Sequence, residues 1–104
     1  MAQVEIMGED DGAAGWAYAV QVLDDDGILR RHRVTLSWAD YNLWSGSGAD
    51  KPSDVVAAVI QFLLTRSSPD ELRPVFDAAI VRHRYPDADT SIPGFIQHDG
   101  REFV

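Results

Sequence analysis

Cysteine is absent from this 104-residue chain, which excludes disulfides, thiolate zinc sites and cysteine nucleophiles. The absence fits a reducing compartment. Histidine is scarce: His32, His83 and His98 make up the whole set, and no two stand four apart as a helical zinc pair would. Lys and Arg are missing from residues 1–27, a stretch that holds seven acids. Long apolar runs are missing too. The longest, Val55 to Leu64, is ten residues broken only by Gln61. At about 1.5 Å per residue it reaches ~15 Å, half of a bilayer core, so a buried helix is expected and no membrane partner. Residues 1–15 lack the basic start and apolar segment of a secretory signal, and a cytoplasmic location is expected.

Reaction motifs are equally thin. No G-x-S-x-G elbow occurs. Ser45-Gly46-Ser47-Gly48 is not completed as a phosphate loop, because Lys51 follows Ala49-Asp50 and no G-K-[ST] appears. Asp87-Ala88-Asp89-Thr90-Ser91 starts like a calcium loop, but the sixth position is Ile92 instead of Gly and the twelfth is His98 instead of Glu. No cofactor and no metal site is therefore expected. The clusters Glu9-Asp10-Asp11 and Asp24-Asp25-Asp26 read as turn and solubility residues.

What the chain does contain is the composition of one folded domain, residues 1–104: 45% hydrophobic, 25% charged and long enough to bury roughly two-thirds of its unfolded surface. A net charge of −8 argues against non-specific nucleic-acid binding, which depends on neutralising phosphates. The pattern points to an α+β fold, an N-terminal antiparallel hairpin or small sheet of two or three strands packed on two or three helices.

Residues 3–7 alternate weakly, with Val4 and Ile6 as apolar partners, and suggest an edge strand. Gly8 to Gly15 reads as a flexible loop, so residues 1–15 form a flexible acidic segment. Trp16 to Leu23 and Leu29 to Leu36 are aromatic and β-branched and read as strands. A three-residue loop, Asp25-Asp26-Gly27 with Gly27 at positive φ, pairs Trp16 with Leu36, Tyr18 with Val34, Val20 with His32 and Val22 with Arg30. A two-residue turn would instead place Arg31 and Arg33 on the apolar face, and side-chain period two forbids that.

Ser37 caps a short helix to Trp44, stopped by Gly46. Pro52 opens a second helix, to about Arg66, with Val55, Val56, Val59, Ile60, Leu63 and Leu64 inward. Phe62 and Ala58 widen its apolar arc, so it is covered on two sides. Ser68-Pro69-Asp70-Glu71 starts a turn, Pro74 breaks it, and a helix is expected from Pro74 to Arg84. Residues 87–104 read as an extended tail in which Phe95, Ile96, Phe103 and Val104 dock.

His32-Arg33-Val34-Thr35, Tyr41, Phe62-Leu63-Leu64-Thr65-Arg66, Phe76-Asp77, Ile80 and Tyr85-Pro86 carry a resemblance to a family of short uncharacterised bacterial proteins. It spans roughly residues 16–88, rests on core and cap residues, and implies no particular reaction.

The candidate binding residues are Arg31, Arg33, Trp38 and Trp44. Arg30, Arg31 and Arg33 are three of nine basic residues, and Arg31 and Arg33 share the outer sheet face with Ala17 and Ala19. They either pair with the acidic N-terminal third or hold an anion or a partner. Trp38 and Trp44, six apart on a short helix, cannot both face inward, and an exposed ring marks a contact surface. The expected function is a non-enzymatic interaction or regulatory module with a protein partner or a homodimer. The alternatives are a metal-dependent or acid–base enzyme using His32, His83 and a carboxylate, and nucleic-acid or anion binding through Arg31 and Arg33.

Overall fold

A computed structural model describes residues 2–96. A four-stranded sheet runs in the order β1-β2-β3-β4, with β1 Gln3–Gly12, β2 Gly15–Leu23, β3 Leu29–Ser37 and β4 Val75–Asp77. The first three strands are an antiparallel meander, and β4 joins β3 in parallel. The helices are α1 Trp38–Trp44, α2 Pro52–Arg66, α3 Ile80–Arg84 and α4 Ala88–Ser91, with 3-10 turns at Pro69–Glu71 and Ile92–Phe95.

The β2–β3 hairpin has the expected register, Trp16 opposite Leu36 and Tyr18 opposite Val34. Gly27 sits at φ 82°, and its N–H donates to Asp24 O at 3.1 Å, closing the three-residue loop. The Asp24 carboxylate accepts from the Asp26 and Ile28 N–H groups at 2.9 and 3.0 Å and from Arg30 at 2.6 Å. These bonds hold its carboxyl below the usual range, the Arg30 bond first.

The sheet is larger than expected, four mixed strands where two or three were read. Two stretches account for this. Gly8 to Gly12, read as flexible loop, continues β1, and a tight turn at Ala13-Ala14 leads into β2. A strand edge at β2 offers unpaired N–H and C=O groups, and pairing outweighs the poor strand propensity of Gly and Asp. A bulge between Ile6 and Gly8 resets the register, so that Glu9 lies opposite Tyr18 and Asp10 opposite Ala17. Gly15, at φ 150°, is required here: a Cβ would stand 2.1 Å from Leu36 O.

The second stretch is Val75–Asp77, expected inside a helix from Pro74. Pro74 O accepts the Arg33 N–H at 2.7 Å, and Thr35 O accepts the Ala78 N–H at 2.8 Å, so the segment completes the free edge of β3. Proline disfavours helix at Arg73 before it, and Phe76 drops into the core beside Val34. Only Ile80–Arg84 remains helical.

Helix α2 lies across the inner face of the sheet, with Val55, Val56, Ala58, Val59, Ile60, Phe62 and Leu63 all buried. Its other flank is covered by the C-terminal segment, where Phe62 meets Tyr85 and Phe95 edge-on, ring centroids 5.7 and 6.2 Å away. Helix α4 and the turn after it occupy the start of the expected extended tail, because Ala88, Ile92 and Ile96 are buried at near-helical spacing. Phe103 and Val104 lie outside the described residues. No helix among the described residues is long and apolar enough to cross a membrane.

Candidate functional site

Because among the described residues α2 and the C-terminal segment pack on one face only, the alternation of each strand sends its other residues to a face that no described element covers. Across it, strand by strand, stand Glu5 and Asp10; Ala17, Ala19, Gln21 and Leu23; Leu29, Arg31, Arg33 and Thr35; then Val75 and Asp77. The centre is low, since Ala17 and Ala19 carry only methyl groups. Around it Leu23, Leu29 and Val75 are 37%, 49% and 66% exposed, and Met7 in the β1 bulge is 52% exposed.

Arg31 and Arg33 both lie on this face, as the register required. Arg33 reaches across the low β2 centre to Asp10, 3.3 Å away, with both side chains largely solvated. Such a pair contributes about 0–1 kcal/mol. Arg31 and Glu5, level with each other across Gln21, make no ion pair among the described residues. On the fourth strand Asp77 accepts from Thr35 Oγ1 at 2.6 Å and from Ala79 N–H at 2.9 Å, which starts the chain toward α3.

The two helical tryptophans separate as their spacing demanded. Trp38 is 50% exposed and packs against Trp16 with ring centroids 4.4 Å apart and planes tilted by 44°, just past the Ser37 end of β3. Trp44 is 1% exposed. Its Nε1 donates to Asp89 at 2.8 Å, and Arg82 lies over its ring at 5.4 Å. Arg82 also binds Asp40 at 3.0 Å and Asp89 at 3.1 Å. Trp44 therefore belongs to a polar-capped piece of core and offers no ring to a partner. The sequence reading did not join Asp40, Trp44, Arg82 and Asp89, because the Arg82–Asp40 and Trp44–Asp89 pairs are 42 and 45 residues apart, beyond any local periodicity.

No family model, curated protein or solved structure matches the chain.

The histidines do not gather. His32 is buried on the inner face with Nδ1 2.6 Å from Arg73 O, which makes Nδ1 the protonated nitrogen. Its Nε2 is buried without a partner. His83 is exposed in the last turn of α3. His98 lies outside the described residues. Among the described residues no group of three His, Asp or Glu side chains is placed to hold a metal. The aspartates of the calcium-like stretch are committed elsewhere, Asp87 to Arg66 and Ser91, Asp89 to Arg82 and Trp44.

Tyr18 is buried in the core, with Glu9 opposite it on β1. Burial first, then the carboxylates of Glu9, Asp11 and Asp54, push its pKa far above the usual phenol value, and it stays neutral. A cleft of about 880 Å³ opens between the hairpin tip, α2 and the Pro69–Glu71 turn. Its apolar floor is Leu64 and Phe95. Asp24 and Arg30 bond each other, and Asp70 bonds Ser68 Oγ at 2.5 Å. These groups stabilise the two turns, which accounts for their placement without a ligand.

Proposed function

We propose that this protein is a non-enzymatic interaction module of the cytoplasm that engages a protein partner on the open sheet face. One observation carries the reading: among the described residues the sheet is covered by helices on one side and uncovered on the other, and the uncovered side combines a low alanine centre with exposed Leu23, Leu29 and Val75. Exposed apolar residues interleaved with charge on an uncovered sheet face mark a contact site. Arg31 and Arg33 supply orienting charges. The resemblance to short bacterial proteins adds no reaction to this reading.

A photoreactive phenylalanine analogue tests it. Placed at Gln21, in the middle of the face, it is expected to give discrete protein adducts in cells. Placed at exposed Thr90, on the helical side, it is expected to give none. Absence of adducts at Gln21, or equal adducts at both, refutes the proposal.

A further inference from the structure

We infer that the outer border of β4 takes up an extended, acidic peptide segment of another protein as a fifth strand. This surface is separate from the open face, and neither reading needs the other.

The main-chain groups come first. β4 ends the sheet. Pro74 O accepts the Arg33 N–H and the Ala78 N–H donates to Thr35 O, so β3 is met by alternate residues of the segment. Phe76 therefore turns its N–H and C=O toward β3, while Val75 and Asp77 turn theirs outward. No strand among the described residues pairs with that outer side. A peptide laid antiparallel along it exchanges two bonds with Val75 and two with Asp77, four in all.

The border is held in shape before anything binds. His32 Nδ1 donates to Arg73 O at 2.6 Å just ahead of β4, and the Asp77 carboxylate ties Thr35 and the Ala79 N–H at its end. Little ordering is left for the binding step.

Charge then selects the partner. The peptide residue opposite Phe76 points its side chain to the inner side of the sheet. A shallow notch lies there, lined by Leu72, Arg73, Phe76, Ile80 and Arg84. Ile80 and Arg84 are four residues apart and share one face of α3. At about 10 Å³ the notch is too small for a free molecule and suits one side chain laid over its mouth. Arg73 and Arg84 are exposed and make no ion pair among the described residues. The neighbouring carboxylates are committed, Glu71 to the Ser68 N–H at 2.8 Å and Asp77 to Thr35 and Ala79. On a chain that carries −8 overall, the uncommitted charge at this border is positive, and it matches an Asp or Glu at the central position of the peptide. A second copy is disfavoured, because two β4 borders in antiparallel register bring the same arginines together. The other border of the sheet, β1, is bulged and acidic and offers no such match.

NMR titration of the full chain with the acetylated, amidated peptide TVTETVT tests the pairing. Saturable shifts are expected at the Val75 and Asp77 amides, half-complete below about 1 mM. The lysine counterpart TVTKTVT should bind roughly tenfold more weakly, and Arg84→Glu should erase that preference. Methylating the backbone nitrogens of the two threonines beside the glutamate removes both donors that face β4 and should abolish binding with the protein unaltered. No saturation by about 5 mM, equal affinity for the two peptides, or indifference to the methyl groups overturns the inference. Shifts centred on Ala19 and Gln21 in place of β4 overturn it too, and favour the open face alone. Photocrosslinking at position 21 reads the open face without touching this border, so either reading can fail by itself.

Discussion

Gly15→Ala tests the close approach of β2 to β3 directly. At φ 150° the residue already lies where side chains are rare, and the new methyl would stand 2.1 Å from Leu36 O, 2.8 Å from Ser37 Cα and 3.0 Å from Leu36 C. All three atoms are backbone, so no side-chain rotation relieves the clash. The β2–β3 pairing must open at its Gly15–Ser37 end, and the Trp38 N–H bond to Ala14 O, 3.1 Å long, goes with it. Backbone strain of about 1–3 kcal/mol and one or two lost hydrogen bonds at about 1 kcal/mol each sum to roughly 3 kcal/mol. With a urea slope near 1–1.5 kcal/mol/M for a small domain, the midpoint should fall by about 2 M. Two further glycines calibrate the number. Gly27→Ala meets positive φ but open space, and should cost only about 1 kcal/mol. Gly46→Ala meets neither and should change stability by no more than about 0.5 kcal/mol. If Gly15→Ala unfolds within about 0.5 kcal/mol of the wild type, the close approach of β2 to β3 is wrong.

Asp77→Ala should cost about 1–2 kcal/mol and speed amide exchange at Arg33 and Ala78, because it removes the acceptor for both Thr35 and Ala79 N–H; unchanged exchange would count against β4. Arg66 holds the Asp87 carboxyl below its usual range, and Arg82, then Trp44, hold that of Asp89 down. Depressed carboxyls stabilise above their unfolded value near 3.9 and lose that effect as pH falls through the lower folded value. Urea midpoints should therefore hold steady from about pH 7 to 5 and drop below about pH 4, with a shallower drop in Arg82→Met. Phe62→Ala should cost about 3–5 kcal/mol, since the ring fills the layer between α2 and the C-terminal segment. Leu29→Glu, by contrast, should shift the melting free energy by no more than about 0.5 kcal/mol.

The β2–β3 register was legible because it depends on neighbours in sequence: an Asp-Gly loop fixes the offset and period two does the rest. The caps at Ser37 and Pro52 were legible for the same local reason. The extent of β1 was not. GEDDG carries poor strand formers, and what makes it extended is the edge of β2, which no window over residues 8–12 contains. β4 fails in the same way, since Val75, Phe76 and Asp77 are helix-compatible until β3 offers hydrogen bonds from 42 residues upstream. The candidate site divides likewise. Arg31 and Arg33 were placed by alternation, whereas Val75 beside Arg33 became visible only with the fourth strand, and Trp44 was settled by the distant Asp89.

The parallel pairing of β4 with β3 also sets an order of assembly. The first three strands pair only with sequence neighbours and can zip up early, but β4 arrives after the chain has travelled through α1 and α2. Until then β3 has a naked border. A short clasp that fastens last leaves the unfinished molecule open to templated stacking, and dissolving this clasp in the mature protein would return it to that hazard.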